Sequence, residues 1–152
     1  MTAKAISYLK HWLPPLIWSA AIVLASGAEF SASATGHWLR ELVQRALGHD
    51  LEPGLFSALH YWLRKAGHLT AYGILSALWF RALRSDQRTP WLLRWASGAV
   101  ALAVLVAAAD EWHQSFIPSR TGAIQDVFLD AGGAVLAQAI LRIAQVLITL
   151  RS

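Results

Sequence analysis

Lys65, His68 and Tyr72 stand at i, i+3 and i+7, the spacing that lines one stripe of an α-helix. Asp110 and Gln114 are i, i+4 neighbours, Glu111 points about 100° away from Asp110 on the same helix, and Asp126 and Asp130 repeat the i, i+4 spacing. Arg120 lies between the two acidic groups, after Pro118. An amine, an imidazole, a phenol, carboxylates and a guanidinium are the groups of general acid/base chemistry, or of a pocket that grips the charged end of a ligand. Lys65 and Arg120 against Asp110, Glu111, Asp126 and Asp130 make two cations and four anions. Two carboxylates therefore lack a basic partner unless Arg64 or a protonated His68 helps, and the like-charged pair Asp126 and Asp130 should recruit a proton or a cation. The plain structural alternative, in which Arg120 bridges Asp110 or Asp126 to lock helices together, uses the same residues.

The elements that must position these groups are apolar. The chain has 152 residues, 56% hydrophobic and only 14% charged, where soluble domains carry about 25% charge. Zero cysteines exclude disulfides and thiolate chemistry. The net charge of +4 is spread between apolar runs rather than clustered on a face, which argues against nucleic acid. Four runs approach the ~20 residues needed to cross a bilayer: 12–28, 66–83, 91–109 and 127–150. The expected fold is all-α, an integral membrane bundle of about four transmembrane helices in a single domain spanning 1–152. The first run carries Pro14 and Pro15, expected in its opening turn, where missing amides cost least. Lys4, Lys10 and Ala32-Ser33-Ala34 around that run imitate a secretory signal peptide, but the run is long for one and is read as a span.

Between the first two spans, Trp38, Leu39, Leu42, Val43, Ala46 and Leu47 fall on one helical face and Arg40, Glu41, Gln44 and Arg45 on the other. This is the pattern of a short helix lying in the membrane interface, and a second such helix is expected after Pro53-Gly54, leading into the second span. Four spans place the start of the second, the end of the third and the start of the fourth on one face, where all the unusual polar residues sit. Eight of the thirteen basic residues fall on the opposite face, which places the termini in the cytoplasm. Gly132 and Gly133 should let another helix approach closely. Asp110, Glu111 and His113 are metal-ligand types, but residues one and two apart on a helix diverge, so neither a metal nor a cofactor is expected. His11, His37, His49 and His60 have no evident partners and are assigned to the interface. Phosphate loops, H-E-x-x-H and G-x-S-x-G are absent.

Lys65-Ala-Gly-His68 with Tyr72, then Asp110-Glu111-Trp-His-Gln114-Ser-Phe116-Ile-Pro118-Ser-Arg120-Thr-Gly122 and Asp126, resembles the VanZ-like family of small bacterial membrane proteins. The family pattern runs K-x-x-H-x-x-x-Y, then D-E-x-x-Q-x-F-x-P-x-R-x-G-x-x-x-D, then a polar residue and a glycine. Where the family commonly shows Asn four residues after the last aspartate, this chain has Asp130. The resemblance implies an inner-membrane protein of the cell envelope, in a family named for a member that raises resistance to the glycopeptide teicoplanin; it does not imply a reaction. Two functions are expected from the residues. In the first, Lys65, His68 and Arg120 hold the polar end of an amphiphilic, lipid-linked or glycopeptide ligand at the outer leaflet, with Tyr72, Asp110, Glu111, Gln114, Asp126 and Asp130 completing the site. In the second, a membrane enzyme uses His68 or Glu111 as general acid/base, Asp126 as orienter and Arg120 as anion clamp. Membrane lipids are the expected partners in both, and the oligomeric state is left open.

Overall fold

The structure, a computed structural model, describes residues 3–27, 31–85, 91–117 and 122–151. It contains five helices, α1 (Ala3–Ala25), α2 (Ala32–Leu47), α3 (Pro53–Arg84), α4 (Leu93–Gln114) and α5 (Ile124–Thr149), and no strand among the described residues. Local chemistry sets the ends of α2 and α3. Ser31 caps α2 by accepting from the Ala34 amide, and Gly48 ends it at φ 76°, a left-handed conformation that a side chain would strain. The Glu52 carboxylate accepts from the amides of Gly54 and Leu55 at 3.0 and 2.9 Å, and Pro53 occupies the first position of α3, where its missing amide leaves no bond unmade.

The helices outrun the apolar spans that the sequence outlines. The segment after Pro53-Gly54, expected as an interfacial helix leading into the second apolar run, is continuous with that run in the 32-residue α3, roughly 48 Å long at ~1.5 Å per residue. Asp110, Glu111 and Gln114 belong to the last turns of α4, and Asp126 to the first turn of α5. Pro14 and Pro15 lie in the middle of α1 rather than in its opening turn. They deprive the Lys10 and His11 carbonyls of their helical donors. The Arg81 guanidinium of α3 donates to the Lys10 carbonyl at 3.3 Å and replaces one of them.

Among the described residues, only α4 and α5 combine the length and apolarity needed to cross a membrane, where four such helices were expected. Lys10, His11, the two prolines and the tryptophans lower the mean hydropathy of α1; Arg64, Lys65, His68, Tyr72 and Arg81 do the same for α3. The apolar windows of α4 and α5 are only 28% and 17% buried within the molecule, unlike the core helix of a soluble protein. Leu105, Phe128, Ile143 and Ile148 point outward, while much of the interior is alanine and polar side chains packed around Tyr72, Leu75, Trp79 and Phe80. A hydrocarbon surrounding favours that inverted distribution.

α3 packs against both α5 and α4, and α1 lies along α3. Trp18 donates its indole N–H to the Ala71 carbonyl at 2.9 Å while Trp12 meets Trp79 edge to face, so α1 runs antiparallel to α3. Ala96, Ala99, Ala103 and Ala107 form a buried small-residue stripe on α4. Gly133 brings α5 onto α3 so closely that an added Cβ would collide with the Leu69 carbonyl, while Gly132 faces open space. One of the two expected contact glycines thus makes the approach. α2 buries none of its residues, and its apolar face, with Trp38 and Leu42, is exposed.

Candidate functional site

The register set by Gly133 brings the Lys65–Tyr72 stretch of α3, the end of α4 and the start of α5 to one end of the bundle. Lys65 of α3 forms an ion pair with Asp126 of α5. One turn on, His68 Nδ1 lies 3.3 Å from Asp130 Oδ1, whose side chain is fully buried. The two atoms are not aligned as a hydrogen bond. Tyr72 donates its hydroxyl to Asp110 Oδ2 at 3.4 Å, and the Gln114 side-chain amide donates to the same oxygen at 2.9 Å. Glu111 Oε2 accepts the Ala123 amide at 2.7 Å, tying the end of α4 to the entry of α5. Gly122 packs so tightly on the Glu111 carbonyl that a Cβ there would overlap it, which explains the glycine.

Eight of the nine candidate binding residues named from the sequence are described, and they lie together on these three helices: Lys65, His68, Tyr72, Asp110, Glu111, Gln114, Asp126 and Asp130. Arg120, the expected anion clamp, lies outside the described residues, so its bridging to Asp110 or Asp126 does too. Asp126, the expected orienter of His68 or Glu111, lies against Lys65, and Asp130 faces the His68 imidazole. Candidate metal ligands also change partners. His113 is exposed on α4, whereas one atom each from His68, Glu111 and Asp130, on three different helices, come within 4.8 Å of one another.

Beside this cluster is a cavity of about 240 Å³, lined by Ile22, Ala25, Ser26 and Thr35, by Arg64, Gly67, His68, Ala71 and Tyr72, and by Asp110. Its α2 wall is pinned to α3 by a network that the sequence pattern missed. Thr35 Oγ1 lies 3.0 Å from His60 Nε2 and accepts from the Arg64 guanidinium at 3.3 Å. Partial burial and the Arg64 charge hold the His60 imidazole below its ordinary value. His37 likewise has a partner, Glu41 at 3.2 Å one turn away, an i, i+4 signal present in the sequence. His49 contacts the Asp50 carbonyl, and His11 is buried within the bundle. Deeper in the bundle, Gln138 donates to the Ser76 hydroxyl at 2.9 Å and to its carbonyl at 3.1 Å. A glutamine in the middle of an apolar run was the available sign.

The cluster can hold a cation among its carboxylates, orient an imidazole, and present Arg64 and His68 to a guest in the cavity. No curated protein and no solved structure matches the chain. The family described as VanZ/LLP1 matches residues 12–145, a stretch that contains every element of the cluster and nearly the whole sequence. With that coverage, and with the Lys65–His68–Tyr72 and Asp110–Asp130 segments brought to one end of the bundle, the chain belongs to the VanZ/LLP1 family.

Proposed function

We propose that this protein is a multi-pass component of the bacterial inner membrane that binds the polar end of an amphiphilic or lipid-linked envelope ligand. In this reading α1, the 66–83 part of α3, α4 and α5 all cross the bilayer, the termini face the cytoplasm, and the cluster opens on the extracytoplasmic side. The first supporting observation is the cavity of about 240 Å³, apolar along Ile22, Ala25 and Ala71 and polar along Arg64, His68, Tyr72 and Asp110. That volume is below the ~300 Å³ of a small drug site, so it suits a headgroup or the first carbons of a chain rather than a whole lipid. A glycopeptide such as teicoplanin belongs among the ligands to be tried. Native mass spectrometry of the purified protein tests the reading. A bound amphiphile on the wild type that is lost from Ala71→Trp, which fills the cavity, and from Arg64→Ala is the expected result; identical ligand profiles in all three would contradict it.

The 3.3 Å approach of His68 to buried Asp130 favours a second reading, a membrane enzyme on the same class of substrate with His68 as general base. His68→Asn separates the two. Loss of turnover with binding retained supports the enzyme, and loss of binding supports the receptor.

A further inference from the structure

Four carboxylates converge at the cluster, and three of them are buried: Asp110, Glu111 and Asp130. Asp126 has Lys65. Asp110 Oδ2 has Tyr72 and Gln114, and Glu111 Oε2 has the Ala123 amide. Glu111 Oε1 and both oxygens of Asp130 are buried without a hydrogen-bond donor among the described residues, and so is Nδ1 of His68 without a hydrogen-bond partner. The three residues belong to three helices, and one ligand atom from each lies within 4.8 Å of the others. Two buried carboxylates beside one imidazole are costly in a low dielectric unless a cation joins them.

We propose that His68, Glu111 and Asp130 bind one divalent first-row transition cation, of which zinc is the representative. Two carboxylates balance its charge while the imidazole stays neutral. One nitrogen with two oxygens suits zinc or manganese better than calcium or magnesium, which take oxygen ligands almost throughout. Ligands ~2.1 Å from a tetrahedral ion lie about 3.4 Å apart, so side-chain rotations of an ångström or so close the site. Three protein ligands leave a fourth position for water or another donor. The Ala123 amide on Glu111 Oε2 holds that carboxylate in place and leaves Oε1 for the ion. The proposal is independent of what the neighbouring cavity takes.

The test uses the full-length protein in detergent, stripped with a chelator and titrated with zinc chloride alone. The wild type should take up one equivalent more than Glu111→Gln and Asp130→Asn, and its thermal unfolding should rise with zinc while theirs does not. Equal uptake in wild type and variants, or no uptake by the wild type, overturns the proposal; in the second case protons keep these carboxyls neutral. Should either variant lose its helical circular dichroism, X-ray absorption at the zinc edge of the loaded wild type decides. A shell of one imidazole at about 2.0 Å with the remaining ligands oxygen is expected, and a shell with two or more imidazoles, or none, overturns it.

Discussion

Gly133 of α5 packs directly against the Leu69 carbonyl of α3, and this backbone contact fixes the register that sets His68 opposite Asp130. α3 and α5 run parallel there, with Lys65 beside Asp126 at one end of the contact and Ser76 beside Gln138 at the other. Gly133→Ala should therefore destabilise the bundle by about 1–3 kcal/mol, because a methyl has to displace backbone. Gly132→Ala, which meets open space, should be neutral or stabilising by up to ~1 kcal/mol. Unfolding the purified variants in graded denaturing detergent compares the two.

Arg81 and Pro14 should be coupled. Arg81 donates to the carbonyl that Pro14 leaves without an amide donor. Pro14→Ala restores that donor, so Arg81→Ala should cost less in its presence than in the wild type. A double-mutant cycle measures the difference, expected at roughly 0.5–1.5 kcal/mol for a hydrogen bond of this kind. Strict additivity would remove Arg81 from this role.

Lys65 and Asp126 form a part-buried ion pair, and removing one partner leaves the other charge stranded. Lys65→Met alone should be more destabilising than Lys65→Met combined with Asp126→Leu. The same denaturation assay reads the order of the two, and the reverse order would mean that the pair makes no net contact in the membrane.

Acid should loosen the entry to α3. Amide hydrogen bonds from Gly54 and Leu55 hold the Glu52 carboxyl below the ordinary value for a glutamate, 4.5. A carboxyl depressed in the fold contributes stability above its unfolded pKa and loses it as pH falls through the folded one. Hydrogen exchange at Gly54 and Leu55, corrected for the intrinsic rate, should therefore speed up below pH 4.5 in the wild type. In Glu52→Gln that extra pH dependence should vanish.

The sequence carries the stripe of Lys65, His68 and Tyr72, the acidic pairs, and the helix parity that collects them at one end of the bundle. Spacing along each helix reveals these, because i, i+4 neighbours share a face whatever the helix packs against. Which group meets which depends on how each helix is rotated about its axis. Surfaces as uniformly apolar as those of α4 and α5 give no phase for that rotation. Hence Asp126, expected to orient His68 or Glu111, is found against Lys65, and the Ser76–Gln138 contact was not expected at all. Hydropathy marks where apolar side chains stop, while the helical spacing of Asp110, Glu111 and Gln114 marks where the hydrogen-bonded backbone continues. The family pattern reached further than spacing did, although Asp130 departs from it at the residue that the structure sets against His68.

The central claim is that α3, α4 and α5 join their polar ends into one site, and crosslinking in native membranes tests it most directly. The chain has no cysteine, so an introduced pair reports without background. His68→Cys with Asp130→Cys should be joined by a short bis-thiol-reactive reagent within one chain, and so should Lys65→Cys with Asp126→Cys, while His68→Cys with Ile148→Cys should not. Failure of both expected pairs in folded protein, with efficient linking of the control pair, would contradict the account.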